Sequence, residues 1–446
     1  MTITQIREAL QASLRDGVDE MAREMGIIKR QSKISGQSLV QGLVFGWLEN
    51  PQASETQIAQ SVGRAGEAVT AQAVNARYTE ATAEFLRKVL ERTAQIIVSP
   101  GPGTQTLLNR FEAVHVNDST TVTLPNELSR IWRGCKNRTE HGQAAVKIQT
   151  QWELRAGTLT ALTLHDGREQ DRSAPVQHAQ ISAGSLRLAD LGYFDLSLFE
   201  RIEQAPAYWM SRYLSGVTLY FGDGVSAGEG GEAMDLGAWL KHNCPDDIQI
   251  DISVFVGQKK QLAARLVAIR VPQHVADERR RKLHDKARGK AQAASSQSLM
   301  LATWNIFLTN VPSAILNVSE VLIIARARWQ IELLFKLWKS SGHLDDWRSK
   351  KPFRILCEFY AKLIGQIIQH WLIIFIAWHH ADRSMTKAAA AIKSCLSNLL
   401  AALHSSSNQQ VDSVIGMLAR STASTCRISK RNSKKALFQL LAVDHP

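Results

Sequence analysis

The hydrophobic pattern of this chain changes from helical to extended near residue 100, and this change limits the folds that it can adopt. Residues 1–98 repeat apolar side chains at three- and four-residue spacing, which is typical of amphipathic helices. The segment SPGPG at 99–103 ends that pattern with two prolines and two glycines. Strand patterns then follow at 111–124, 144–154, 157–167 and 186–194. We therefore predict an α/β protein that begins with a helical domain at 1–98.

The rest of the chain continues to alternate between patterns. Residues 104–212 form the first part of the predicted core, which ends with a helix opened by FERIEQAPAYWMSR. We predict a mainly β insertion at 213–302, a second part of the core at 303–349 and a helical region at 350–446. A glycine-rich segment at 222–231 lacks the lysine and serine or threonine that end a phosphate-binding loop, so we interpret it as a turn.

Charge and cysteine usage narrow the class of protein. The 446 residues include 53 lysines and arginines against 41 acids, a net charge of +12 that favours a polyanionic partner such as nucleic acid. The five cysteines form no CxxC pair, which argues against a zinc cluster or a disulfide framework. The apolar stretch 363–380 contains Gln366, Gln369 and His370, so we interpret it as a buried helix and not as a membrane span. A basic globular protein without a nucleic-acid partner is the alternative reading of the charge. We also predict that the protein is cytoplasmic.

Three acidic residues occupy positions where a carboxylate is hard to explain structurally. Asp118 and Asp190 each end a predicted strand, and Glu332 lies within the apolar helical run WQIELLF. Carboxylate oxygens are the ligands that Mg²⁺ and Mn²⁺ prefer, and two such ions can promote cleavage of a phosphodiester. Taken singly, a strand-end aspartate is more often a turn residue and a helical glutamate an ion-pair partner. The three together are candidates for one two-metal site.

The helix around Glu332 carries two cations on the same face. Arg328, Glu332 and Lys339 are four and seven residues apart, and at roughly 100° per residue all three return to within about 40° of one another. An acid between two cations suits a site that holds a metal ion and also binds phosphates. A simple ion pair between Arg328 and Glu332 is the alternative, although it leaves Lys339 unexplained.

These residues carry a family resemblance. The segment ARARWQIELLFKLWKS (325–340) resembles the Tyr-x2-Arg-x3-Glu-x6-Lys signature of bacterial DDE transposases of insertion-sequence family four, with Ala325 in place of the tyrosine. The segments NDST and ADLGYF resemble the two aspartate motifs of the family. The resemblance extends over about residues 110–345, and the long interval between Asp190 and Glu332 is what the β insertion of that group requires.

The resemblance implies a fold and a set of roles. It implies an RNase H-like catalytic core, interrupted by the β insertion, in which Asp118, Asp190 and Glu332 hold two Mg²⁺ or Mn²⁺ ions. Arg328 and Lys339 would contact phosphates near the cleaved end. The tyrosine of the family also helps to hold the DNA end, so Ala325 removes a hydroxyl donor at that position.

A tryptophan and a run of cations are further candidates for DNA contact. Trp304 lies where related hairpin-forming transposases place an aromatic residue that stacks on a flipped base, and a core tryptophan is the equal alternative. A nearby charge run could follow a DNA backbone, or it could be a solvated helix face. Its members are Arg279, Arg280, Arg281, Lys282, Lys286, Arg288 and Lys290.

The N-terminal region contains a possible helix-turn-helix. Ala59, Gly63 and Val69 have the spacing of the small residue, the turn glycine and the apolar anchor of that motif. We predict a second helix at about 66–77, and an ordinary helical hairpin is the alternative. The residues that this helix would offer to DNA are Thr70, Gln72, Asn75 and Arg77.

These observations lead to one main hypothesis about function. The chain is predicted to be a cut-and-paste transposase that binds the terminal inverted repeats of its element, cleaves the strand, forms a hairpin and transfers the end to target DNA. The resemblance also implies a homodimer in the synaptic complex, acting at the bacterial nucleoid, and no membrane partner. A transposase-derived DNA-binding protein without strand transfer, which Ala325 favours, and a nuclease for other structured DNA are the alternatives.

Overall fold

The structure is a computed structural model that describes residues 1–28, 32–103, 105–135, 143–221, 233–380, 382–405, 407–428 and 440–441. Within these residues the helices are α1 (Ile3–Leu14), α2 (Val18–Glu24), α3 (Gly36–Glu49), α4 (Glu55–Arg64), α5 (Ala71–Asn75), α6 (Glu80–Gln95), α7 (Leu196–Gln204), α8 (Leu236–Asn243), α9 (Gln273–Arg288), α10 (Ser296–Leu301), α11 (Val318–Ala327), α12 (Trp329–Ser340), α13 (Pro352–Ala377), α14 (Met385–Lys393), α15 (Leu396–His404) and α16 (Asn408–Thr425). The strands are β1 (Val114–Leu124), β2 (Ala144–Glu153), β3 (Thr158–Asp166), β4 (Leu186–Ala189), β5 (Tyr208–Arg212), β6 (Leu219–Phe221), β7 (Gln249–Val256), β8 (Leu262–Arg270) and β9 (Trp304–Thr309).

The first of two compact units is built from helices of both ends of the chain. It comprises residues 1–105, 118–170 and 330–442. Helix α1 packs against α16, and both α3 and α4 pack against α15. An ion pair between Arg7 and Asp412 joins α1 to α16. This unit also contains the antiparallel hairpin of β2 and β3, with β1 next to β2. The segments predicted as N-terminal and C-terminal regions therefore share one core.

Helix α13 is the central element of the first unit. It packs against α3, α6 and α14, and Gly365 allows the close approach to α3, since a Cβ there would lie 3.3 Å from the Cβ of Leu48. Among the described residues, α13 alone is long and apolar enough to cross a membrane, but 94% of its most apolar window is buried inside the protein. Two of its polar residues have internal partners, since Gln369 donates to the carbonyl of Ala389 at 3.3 Å and His370 bonds the carbonyl of Gly157 at 2.7 Å. The helix is therefore a core helix.

Burial of His370 leads to a prediction about stability. Burial lowers the pKa of His370 to about 4, against the hydrogen bond to Gly157, which raises it. As the pH falls below about 6.5, His370 binds a proton in the unfolded chain but stays neutral in the folded protein. The free energy of unfolding therefore decreases from about pH 6.5 down to about pH 4. Between pH 7 and pH 5 we expect the wild type to lose roughly 2 kcal/mol through this group.

The matched variant is His370→Gln, which supplies an amide N–H as a hydrogen-bond donor and removes the titrating imidazole. We expect its urea midpoint to fall less than that of the wild type between pH 7 and pH 5. The same pH dependence in both proteins would contradict the assignment of His370 as a buried neutral group.

The second unit comprises residues 106–117 and 171–329 and contains a mixed sheet. Its strand order is β1-β4-β5-β9-β8-β7-β6, in which β1, β4 and β5 are parallel and each later pair is antiparallel. Helix α7 covers one face, where the ring of Phe199 stacks on Trp209 with centroids 4.3 Å apart. The chain passes from this unit into the first one along β1, between Asn117 and Asp118.

The second unit differs from the predicted element boundaries in two segments. The segment after Phe199 was predicted as one helix, but α7 ends at Gln204 and β5 begins at Tyr208. Pro206 lacks the N–H that a continuing helix requires, and the aromatic residues that follow favour a strand. The segment 213–302, which was predicted to be mainly β, adds β6, β7 and β8 to the sheet. It also contains α8, α9 and α10, and in its described part these helices hold more residues than the three strands. The glycine-rich stretch 222–231 lies outside the described residues.

Candidate active site

Asp118 lies inside β1 and not at its end, because the strand continues to Leu124. The side chain is half-buried, and one carboxylate oxygen accepts a hydrogen bond of 2.8 Å from the backbone N–H of Ser119. The hydroxyl of Thr150 in β2 donates to the carbonyl of Asp118 at 3.3 Å. The contact with Ser119 therefore holds the carboxylate, and the contact with Thr150 ties the main chain of Asp118 to β2.

Asp190 directly follows β4, as the sequence predicts, and precedes a short 3₁₀ turn at Leu191–Tyr193. Its carboxylate lies 3.7 Å from the guanidinium of Arg328, and the two side chains are 37% and 18% exposed. The carboxylate makes no hydrogen bond to the backbone of the turn that it precedes. Asp190 therefore presents a partly exposed carboxylate with a cation beside it.

The helical segment around Glu332 is divided at Arg328. We predicted one helix that carries Arg328, Glu332 and Lys339, but α11 ends at Ala327 and α12 begins at Trp329. Neither proline nor glycine accounts for the break. Glu332 lies in the first turn of α12 and is half-buried. Lys339, seven residues further on the same face, donates to the carbonyl of Thr121 in β1 at 3.0 Å. The face of α12 that carries Glu332 thus contacts the strand that carries Asp118.

The three acids differ in their place in the fold. Asp118 and Glu332 belong to the first unit, and Asp190 belongs to the second. The described residues contain no group of three or more acidic, histidine or cysteine side chains placed to hold a metal ion. The donor set nevertheless fits Mg²⁺ or Mn²⁺, because each residue offers carboxylate oxygens and none is fully buried.

Trp304 is the first residue of β9 and is only 2% exposed. The guanidinium of Arg270 lies 4.4 Å from its ring centroid. Arg279 donates to the carbonyl of Trp304 at 3.0 Å and to the side chain of Asn305 at 2.7 Å. The structure thus places Trp304 in the core of the second unit, and its ring is open to a base only if these neighbours move.

The predicted basic run lies in α9, except for Lys290, which follows the helix, and its members differ in how far they are exposed and paired. Arg279 is tied to β9, as described above, and Arg280 pairs with Asp277 at 3.2 Å. Arg281 and Lys282 are exposed, although Lys282 forms an ion pair with Glu278 at 2.7 Å. Lys286, Arg288 and Lys290 are also exposed. The outer part of α9 is therefore the part that could meet DNA.

The predicted helix-turn-helix is shorter than expected. Its second helix was predicted at 66–77, but α5 covers only Ala71–Asn75, because the hydroxyl of Thr70 caps the helix by accepting from the N–H of Ala73. Val69 is half-buried, and Val74 is the buried anchor. Of the predicted contact residues, Thr70 and Gln72 are exposed and Asn75 is half-buried. Arg77 donates to the carbonyl of Ile27 at 2.9 Å.

Two further residues near the site were not singled out from the sequence. Trp329, the first residue of α12, is 59% exposed and lies one turn before Glu332. Arg187 in β4 is almost fully buried, and its Nε and Nη2 atoms have no hydrogen-bond partner within the part of the chain that the structure describes. Burial lowers the pKa of Arg187 to about 10, so it remains charged at neutral pH. The signal for Arg187 in the sequence is its position as the one charged residue in the apolar run LRLA.

Comparison with known proteins identifies similar chains. Residues 109–366, more than half of the chain, match the family model described as a transposase DDE domain. The transposase for insertion sequence element IS231B of Bacillus thuringiensis subsp. berliner is 24% identical over 445 residues, which cover 96% of this chain and 92% of that protein. The transposase for IS1151 of Clostridium perfringens is 24% identical over 379 residues, with 80% and 77% covered.

A solved structure was also matched. The cryo-EM structure of the piggyBac transposase synaptic complex with hairpin DNA covers 95% of this chain and 85% of that chain, with 9% identity and a TM-score of 0.43. That score is too low to establish a common fold.

Proposed function

The chain belongs to the DDE transposase family and is the transposase of an insertion sequence, and from this premise we propose that it mobilises its element by a cut-and-paste route. It binds the terminal inverted repeats, cleaves the end, forms a hairpin and joins the freed end to target DNA. We assign it to insertion-sequence family four on the match at Arg328, Glu332 and Lys339. As that resemblance implies, two copies pair in the synaptic complex at the nucleoid.

The observation that carries this proposal is the contact between α12 and β1. Lys339 joins the face of α12 that carries Glu332 to the carbonyl of Thr121, three residues beyond Asp118 on β1. The parallel arrangement of β1, β4 and β5, with the hairpin of β2 and β3 in the first unit, supports an RNase H-like core. Asp190 follows β4 at the carboxyl end of a parallel strand, where such cores carry a second acid.

We assign the metal ligands and the phosphate contacts as follows. Asp118, Asp190 and Glu332 would hold two Mg²⁺ or Mn²⁺ ions, which when bound help to activate the attacking oxygen and stabilise the leaving one. Arg328, beside Asp190, and Lys339 would offset phosphate charge near the cleaved strand. The exposed ring of Trp329 is better placed than the buried Trp304 to stack on a base at this end.

The deciding experiment is cleavage of a labelled duplex that carries the inverted repeat bordering the coding sequence, with Mg²⁺ or Mn²⁺. We expect metal-dependent nicking followed by a hairpin product. Tight binding without any nicking would favour the second candidate, a DNA-binding protein without strand transfer. The observation that favours this second candidate is Ala325 on α11, and Ala325→Tyr is the variant to test next.

The exposed cations of α9 lead to a prediction about DNA affinity. The double variant Arg281→Gln/Lys286→Gln removes two exposed charges from the outer part of α9. We expect weaker binding to all duplex sequences alike, because phosphate contacts carry no sequence information. The slope of log affinity against log salt should fall by about two, or about one per lost contact. Fluorescence anisotropy over a salt series measures both quantities.

The matched control is Arg420→Gln/Lys387→Gln, which removes the same charge from α16 and α14 in the C-terminal part of the chain. Its salt slope should equal that of the wild type. Equal salt slopes for the wild type, the α9 variant and the control would contradict the assignment of α9 to the DNA interface.

A further inference from the structure

An ion pair is buried inside α13. Glu358 and Lys362 are one turn apart, each at most 2% exposed, and the ammonium lies 2.7 Å from the carboxylate. Burial of charge is costly, so such a pair calls for a structural explanation. The other two ammonium donors leave α13 and reach the main-chain carbonyls of His343 at 3.0 Å and Asp346 at 2.7 Å. Lys362 therefore binds the segment 343–348, which we call the post-α12 turn.

The post-α12 turn is packed against the end of the helix that carries Glu332. The N–H of Leu344 donates to the carbonyl of Trp338 at 3.2 Å. Gly342, just before the turn, has no room for a side chain, because a Cβ would lie 2.5 Å from that same carbonyl. His343 adopts a φ of +46°, a conformation that a histidine keeps only when its surroundings hold it. Lys362 thus fixes the last turn of α12 through a strained, tightly held turn.

The same turn is tied to the connection between α3 and α4. The guanidinium of Arg348 donates to the carbonyl of Gln52 at 2.9 Å. The side-chain amide of Gln52 in turn donates to the carboxylate of Asp346. Gln52 lies three residues before the start of α4, so the post-α12 turn contacts the entry to α4 and α5. These are the two helices of the predicted helix-turn-helix, which we propose to be the DNA-reading pair.

A second tie joins α13 to the α4–α5 pair. Arg354, one turn before Glu358, forms an ion pair of 2.8 Å with Glu55, the first residue of α4. Its guanidinium also lies 5.6 Å from the ring centroid of Tyr78, which follows α5. The hydroxyl of Tyr78 donates to Glu55 at 3.4 Å. All of these residues belong to the first unit.

We propose that Glu358 and Lys362 are positioning residues that hold the Glu332 helix in register with the α4–α5 pair, so that a DNA end bound by α4–α5 is presented correctly to Glu332. This inference rests on the proposed function of end binding and cleavage. Neither residue touches DNA, because both are buried. Loss of the pair should leave end binding intact and slow the cleavage step, since small misplacements of a catalytic group cost much of its rate.

The test is the double variant Glu358→Leu/Lys362→Met, which replaces the ion pair with apolar side chains and leaves no lone buried charge. The full-length protein is assayed with the labelled end duplex and Mn²⁺ for both affinity and single-turnover cleavage. We expect an affinity within about twofold of the wild type and cleavage slowed by about 10- to 100-fold. The control Arg7→Met/Asp412→Leu removes the α1–α16 ion pair of the same unit and should change neither value.

Three outcomes separate the inference from the function on which it rests. A wild type that neither binds nor cuts the end overturns both. A wild type that cuts, beside a double variant that cuts equally fast, overturns the inference alone. If the double variant fails to fold, Arg348→Ala decides, because this exposed residue releases the post-α12 turn without touching the core: slower cleavage with unchanged affinity supports the inference, and unchanged cleavage overturns it.

Discussion

The Glu332→Gln protein is expected to bind the end duplex as tightly as the wild type and to cut it about a thousandfold more slowly. Glutamine keeps the size of the side chain but replaces a charged oxygen with an amide, which is a poor ligand for Mg²⁺. Bound metal ions contribute several kcal/mol to stabilisation of the transition state, and roughly 4 kcal/mol corresponds to three orders of magnitude in rate. Single-turnover nicking of the labelled duplex measures the rate, and anisotropy measures the affinity.

The matched control for this prediction is Glu84→Gln on α6. Glu84 is also a helical glutamate of the first unit, and its carboxylate pairs with Arg87 on its own helix. Its variant should cut at the wild-type rate. If Glu332→Gln retained more than about a tenth of the wild-type rate, Glu332 would not be a metal ligand.

The Gly42→Val protein is expected to lose about 3 kcal/mol of stability and to melt roughly 3 to 5 °C lower than the wild type. A Cβ at Gly42 would lie 2.4 Å from the Cα of Val62, so any side chain forces α3 and α4 apart. Because α4 is the first helix of the proposed DNA-reading pair, binding of the end duplex should weaken as well. Thermal unfolding and anisotropy measure the two effects.

Gly63→Ala is the matched control, because Gly63 lies within α4 and has ordinary space for a Cβ, 3.5 Å from the Cα of Ala68. We expect this variant to be as stable as the wild type or up to about 1 kcal/mol more stable, since alanine favours a helix over glycine. A Gly42→Val protein that melted with the wild type would contradict the packing of α3 on α4.

Local patterns in the sequence predicted elements better than their ends. The periodicity that predicted a helix around Glu332 is confirmed in α12, and the apolar run before Asp190 is strand β4. The helix-turn-helix pattern at Ala59, Gly63 and Val69 was less informative, because Gly63 lies inside α4 and the cap at Thr70 delays α5. A spacing rule records which residue types recur and contains no information about the hydrogen bond that starts a helix.

Features that depend on distant segments could not be predicted from the sequence. The sequence pattern of an aromatic residue at the start of a strand does not show whether its ring is buried or exposed. Trp304 is buried because Arg270 and the chain around α9 pack against it. The buried pair in α13 likewise gains its partners from the post-α12 turn. The location of the candidate acids came from motif resemblance, and the structure adds the contacts that each of them makes.

The discontinuous make-up of the first unit has a consequence for synthesis of the protein on the ribosome. Most of the second unit is one continuous stretch, 171–329, and it can fold as soon as that stretch has emerged. The helices α1–α6 must instead wait for α13, which begins only at Pro352. A chain that stopped just before α13 would carry Asp118, Asp190 and Glu332 and still lack the helix around which the first unit is built. Such a truncated product would hold every candidate ligand, yet its early helices would remain without their core and open to chaperones and proteases.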